Sequence, residues 1–200
     1  MTPRYTELQL DALRELANIA SGNAATSLSQ MLGREVELNV PRVLALPLAD
    51  AVEACGSPED DTTSVVIPLE GDVTGVVLLL IEPQGAEALC GLLGVDAWDE
   101  IGESALREIG NILGTSCLNA LAAMTGLHLE PRPPHLTTDM LGAIVSSLAL
   151  SQTAATELVL VLDSELAVAD EPCSISFVLL PTEGGVTDLL APLGLAEAAA

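Results

Sequence analysis

The sequence predicts an α+β fold: an α-β-α-β-β-α unit occurring twice in 200 residues, both copies feeding one mainly antiparallel sheet with two long helices on one of its faces. Three observations lead there. Residues 11–33, DALRELANIASGNAATSLSQMLG, align without a gap on residues 104–126, SALREIGNILGTSCLNALAAMTG, at an offset of 93. Extended to Pro41 and Pro134, 11 of 31 aligned positions are identical, whereas an Ala/Leu-rich composition gives about three by chance. Each long segment is followed by strand-like runs in the same order, and neither copy has enough strands to build a core alone. With only two copies and a period far beyond that of repeat arrays, this is a duplication and not a solenoid.

The elements follow in order. Over residues 6–32, Leu10, Leu13, Leu16, Ala17, Ala20, Ala24, Leu28 and Leu32 recur at helical spacing. Residues 102–125 repeat the pattern with Leu106, Ile109, Leu113, Cys117, Leu121 and Met124. Gly33 and Gly126 stop the two helices. VELNVPRVLAL and LHLEPRPPHLTT come next as strands, and their Pro and His residues assign them to edge or bent positions. Short apolar segments follow at 49–55 and 140–150. TTSVVIPLE and VTGVVLLLI then form a hairpin about Glu70-Gly71-Asp72. TELVLVLD and CSISFVLL are the matching pair, with residues 164–172 read as a longer acidic connection. Helical stretches at 85–93 and 185–193 end each half, before Gly94 and Gly194. The expectation is one domain over 1–200, made of repeats at about 6–98 and 99–195 related by a pseudo-twofold axis.

Composition narrows function. Half the residues are hydrophobic, so the chain is globular. Lys+Arg is 6 against Asp+Glu 29, a net charge of −23 with no lysine at all. Such a surface repels phosphate backbones and acidic membranes. Aromatic content is 2%, from Tyr5, Trp98 and Phe177, which argues against a base-stacking or sugar-stacking site. The acids suit either a large acidic interface or a cytoplasm of very high salt; their spread along the whole chain favours salt adaptation. Cys55, Cys90, Cys117 and Cys173 form no CxxC, and His128 and His135 complete no zinc spacing, so no metal site is expected. Reduced, buried cysteines suit a cytoplasmic protein. The N-terminus is charged and reads as no signal peptide, and the longest strongly apolar run, 76–81, cannot span a bilayer.

The chemistry-bearing residues sit on the long helices. Asp11, Glu15 and Asn18 follow i, i+4, i+7 and form one stripe; Ser104, Glu108 and Asn111 repeat it, with Arg14 and Arg107 flanking. The apolar positions lie off this face, so the stripes should meet solvent. Asp11 and Ser104 also read as helix caps or supports. A mid-helix asparagine is unfavourable by propensity, yet both copies retain it three residues after a glutamate. Neighbouring positions diverged, as in Gly22-Asn23 against Thr115-Ser116.

The pattern Asp/Ser-x3-Glu-x2-Asn-x22-Pro resembles the signature of the CheC family of chemotaxis phosphatases, which includes CheX and part of FliY. It occurs twice: Asp11, Glu15, Asn18, Pro41 and Ser104, Glu108, Asn111, Pro134. One match arises by chance at about 10⁻⁵ per starting position. Two motifs in this length resemble CheC more than CheX, which has one, or FliY, which adds a flagellar switch domain. The resemblance implies hydrolysis of the aspartyl phosphate of the response regulator CheY. The regulator would bring the divalent metal (Mg) and a lysine, so this chain needs no cofactor of its own. Glu15 and Glu108 would dock on the regulator; Asn18 and Asn111 would place the attacking water. Pro41 and Pro134 would shape the strand near each helix. The segment DMLGAIVSS resembles the part of CheC that binds the receptor deamidase CheD, which points to Asp139 as a contact; a helix-capping role for Asp139 is the alternative. The resemblance further implies a cytoplasmic monomer that binds phosphorylated CheY. The competing readings are a non-catalytic adaptor for CheD or CheY, and a motility-apparatus adaptor.

Overall fold

In a computed structural model, residues 6–151, 159–168, 171–182 and 184–195 are described. The first half runs α1 (Glu7–Leu32), β1 (Val36–Leu46), α2 (Leu48–Cys55), β2 (Asp61–Gly71), β3 (Gly75–Ile81) and α3 (Pro83–Leu92). The second runs α4 (Glu100–Thr125), β4 (Leu129–Pro131), β5 (His135–Met140), α5 (Leu141–Ser151), β6 (Val159–Val168), β7 (Glu171–Pro181) and α6 (Gly185–Leu190), closed by a 3-10 turn, Ala191–Leu193.

Helices α1 and α4 each span 26 residues, and their limits coincide at the 93-residue offset. The ends explain why. Thr6 caps α1 in a reciprocal box with Gln9, whose side chain accepts the Thr6 N–H at 2.7 Å. Asp99, at the matching position, accepts from the N–H groups of Ile101 and Gly102 at 2.9 and 2.8 Å. At the other ends Gly33 and Gly126 take φ of 64° and 72°, left-handed values that favour glycine. Asp11 and Ser104 are therefore not the caps. They lie a turn further in, beyond the reach of the orphan N–H groups.

The sheet order is β1-β6-β7-β3-β2-β4, with β5 also on β2, and every pairing is antiparallel. Replacing each strand by its counterpart in the other half reverses this order onto itself. At the centre, β3 meets β7 with Gly75 opposite Pro181 and Ile81 opposite Ile175, a register symmetric about Leu78 and Val178.

The edge strands carry the two prolines. On β1 the pairing with β6 slips by one residue between Asn39 and Arg42, so Pro41 sits in a bulge. Opposite β2, Leu69 pairs with Pro131 and Val66 with His135, so three residues including Pro134 face two. The slip is the same on both edges. A proline has no N–H to give to a ladder, and a bulge on an edge strand is where that costs least.

One expectation needs correction. Residues 164–172 are not a long connection. β6 and β7 stay paired from Leu160 opposite Leu179 to Val168 opposite Glu171, leaving between them only residues 169–170, which lie outside the described residues. The acids misled: Asp163 and Glu165 alternate with Leu162, Ser164 and Leu166, and period two fits a strand whatever the charge on its second face.

Both faces of the sheet are covered. Val65, Ile67, Leu79 and Phe177 pack in one cluster with α1, α3 and α4; Val66, Leu78, Leu80 and Val178 pack in another with α2 and α5. Fully burying each such side chain is worth about 1.5–3 kcal/mol. A methyl group on Gly110 would lie 2.6 Å from three Val65 carbons, and one on Gly114 would meet the end of Ile67, so α4 lies against β2 with glycines at the contact. Ala17 and Ser21 hold the matching places on α1, beside an apolar cavity of about 30 Å³ that Cys117 and Phe177 also line. Gly22, by contrast, has nothing within 4 Å of an added Cβ.

These environments give opposite expectations. Gly110→Ala should lower stability by about 1–3 kcal/mol, because Val65 is stiff and the helix must shift. Gly22→Ala should raise it by about 1 kcal/mol, through helix propensity alone. Denaturant unfolding of both variants beside wild type checks the pair; equal shifts would contradict the close packing of α4.

Candidate functional site

The site is built on the faces of α1 and α4 that turn away from the sheet. Leu13, Leu16, Ala17 and Ala20 bury one side of α1, and Leu106, Ile109, Gly110 and Leu113 bury one side of α4. What remains outward includes Asp11, Glu15 and Asn18, all exposed, and Ser104 and Glu108, also exposed. Asn111 departs from expectation: it is half-buried, and its Oδ1 accepts a hydrogen bond from the Thr115 hydroxyl at 3.3 Å. The matching position on α1 is Gly22, which has no hydroxyl to offer. The two asparagines thus differ in burial and in the residue one turn on, Thr115 against Gly22.

Each asparagine lies one turn after its glutamate, about 4.5 Å along the helix axis. The Asp11 carboxylate accepts from Arg14 at 2.8 Å, which ties down the base of the first stripe. Both groups are exposed, so the pair adds little stability and mainly orders the side chains. Pro41 and Pro134 occupy the edge-strand bulges described above. Asp139 does not cap α5. It is exposed at the end of β5, and its Oδ1 accepts from the Met140 N–H at 2.8 Å, one residue before the helix. The first N–H groups of α5 instead meet the carbonyls of Asp60 and Pro58, both at 2.9 Å.

Chemically the stripes offer carboxylates, neutral amides and the Ser104 hydroxyl. Burial pushes the Cys117 thiol up to about 12, and burial together with Asp99 and Asp96 raises that of Cys90. Both stay protonated at neutral pH, and stability from Cys117 is lost only as pH rises from about 9 towards 12. Among the described residues no group of three or more His, Cys, Asp or Glu could hold a metal ion, and no helix is long and apolar enough to cross a membrane.

A three-layer fold with a duplicated Glu-x-x-Asn stripe on outward helix faces defines the class of protein to compare. The CheC-like family matches twice, at residues 8–44 and 101–137, segments that are again 93 apart. The CheY-P phosphatase CheC of Bacillus subtilis is 33% identical over 168 residues, covering 80% of this chain and 80% of that protein. The chain belongs to the CheC-like family. Among solved structures, Thermotoga maritima FliY superposes with a TM-score of 0.78 at 20% identity, over 98% of this chain and 100% of that one. CheX in the CheX-CheY-BeF3-Mg2+ complex from Borrelia burgdorferi gives a TM-score of 0.50 at 20% identity, over 82% and 96%.

The stripes themselves are read directly from the spacing along the sequence. Thr115 is not, because its counterpart is a glycine and nothing in the repeat marks it as a partner of Asn111.

Proposed function

We propose that this protein is a phosphatase that ends a chemotaxis signal by hydrolysing the aspartyl phosphate of a CheY-type response regulator. The observation that carries this reading is the pair of Glu-x-x-Asn stripes, outward-facing, on two adjacent helices of a CheC-like fold. The Bacillus subtilis relative is named a CheY-P phosphatase.

The chemistry asks little of this chain. Water attacks phosphorus, the bond between phosphorus and the aspartyl oxygen breaks, and inorganic phosphate leaves with the aspartate restored. Such transfers gain most from positioning and charge stabilisation. The charge is met on the regulator, by its divalent metal and lysine. Asn18 and Asn111 supply an amide that accepts from the water and sets it in line, without bringing negative charge against the phosphoryl oxygens. Glu15 and Glu108, one turn back, pair with the regulator's lysine and fix the register of docking. Asp139, on β5 and not on either stripe, is the contact for a second partner, CheD; Asp139→Lys should abolish CheD capture and leave phosphatase turnover intact.

The test is dephosphorylation of a large molar excess of phosphorylated CheY. Many turnovers per molecule are expected. Stoichiometric binding without acceleration would instead establish a non-catalytic adaptor. Loss of Glu15 or Glu108 should raise KM more than it lowers kcat.

Thr115 sharpens the reading of the second stripe. Thr115→Val keeps the shape and removes the hydroxyl that holds Asn111. In an Asn18→Ala background, where only the second stripe works, turnover should fall about two- to tenfold, the worth of one hydrogen bond. Unchanged turnover would show that the bond does not position Asn111.

A further inference from the structure

Among the described residues, the exposed large apolar side chains are Leu8, Ile19, Trp98, Ile101, Met124 and Met140. Leu8 and Ile101 occupy matching positions at the 93-residue offset, and they are 66% and 64% exposed. Single exposed leucines are ordinary. A large aliphatic kept at the same solvent-facing position in both copies, in a chain with 29 acids, is not accounted for by packing.

Their place in the helix is informative. At about 100° per residue, Leu8, Glu15 and Ile19 fall within about 20° of one line along α1. Ile101, Glu108 and Ile112 form the same line along α4, with Ile112 half-buried. Each docking glutamate therefore stands between two aliphatic residues on one ridge. Trp98, 49% exposed, precedes the α4 cap and donates its indole N–H to Glu87 of α3 at 3.2 Å, so it is not part of the ridge.

We infer that Leu8 and Ile101, with Ile19 further along the first ridge, are apolar anchors that seat the response regulator on each stripe. This rests on the proposed phosphatase reading, which fixes the occupant by geometry. A partner whose phosphoryl group reaches Asn18 must cover the surface around it. A protein interface of ordinary size buries about 800 Å² per partner, a disc of roughly 16 Å radius. Leu8 lies about 10 Å along the helix from Glu15 and about 15 Å along it from Asn18, at the rim of that disc. The anchors also answer a problem of charge. Carboxylate contacts weaken as salt screens them, whereas apolar burial does not. For a chain of net charge −23 the second kind of contact holds at any ionic strength.

The test is a Leu8→Gln/Ile101→Gln double variant, with Leu8→Met/Ile101→Met as the conservative control. Three things are measured: steady-state kinetics on phosphorylated CheY, affinity for CheY loaded with Mg2+ and beryllofluoride, and mass in solution by light scattering. The glutamine variant should raise KM and weaken affinity roughly tenfold or more, the effect of unburying an aliphatic side chain. Its kcat should change less than twofold, and the methionine control should retain wild-type KM. Unchanged KM and affinity would overturn the inference. A wild-type dimer that the glutamine variant dissolves, with CheY affinity unchanged, would overturn it by giving the ridge to a second copy of this chain. Wild-type turnover separately reports the phosphatase reading. Without turnover, the affinity ratio alone still decides whether these residues seat the regulator.

Discussion

An Asn18→Ala/Asn111→Ala double variant is expected to fold as wild type and to lose phosphatase turnover by on the order of 10²-fold or more, about 3 kcal/mol of transition-state stabilisation. Folding should survive because alanine is the better helix former and neither side chain belongs to the core. Each single variant should lose part of the activity, since the other stripe remains. The parts need not be equal: Asn111 is half-buried, whereas Asn18 is exposed. Single-turnover rates of the four proteins against phosphorylated CheY separate the contributions. A double variant that folds and works at the wild-type rate would remove these asparagines from the mechanism.

A second large effect is expected from salt. With 29 acids and 6 arginines, most carboxylates can have no cationic partner. Arg14 pairs with Asp11, and Arg132 with Glu70 and Glu130, all at exposed positions where such pairs contribute little. The folded chain therefore concentrates like charge that the unfolded chain spreads out. Screening that repulsion should raise the melting temperature steeply between dilute buffer and molar KCl; the Debye length falls from about 30 Å at 0.01 M to about 3 Å at 1 M. A scan across that range checks it. A constant melting temperature would remove the inference of salt adaptation.

The sequence by itself determined the 93-residue offset between matching segments, the two long helices, the hairpin at Glu70-Gly71-Asp72 and the Glu/Asn stripes. Each rests on local chemistry: helical periodicity, glycine stops, turn residues, and spacing along one helix face. A helix fixes which of its residues share a face, so Glu15 and Asn18 could be placed together before any tertiary contact was known. What the tertiary structure decided depends on partners distant in the chain. The caps fell to Thr6 and Asp99, not to Asp11 and Ser104, because the helices begin a turn earlier than the stripes. Residues 164–168 and 171–172 joined strands, because β1 and β7 flank β6 and supply hydrogen bonds on both its sides, which acid content along one chain segment cannot reveal. The glycines at 110 and 114 acquired a reason only once Val65 and Ile67 were found against them. The prolines gained theirs the same way: a bulge is a relation between two strands, and Pro41 and Pro134 show it only when β6 and β2 are laid beside them.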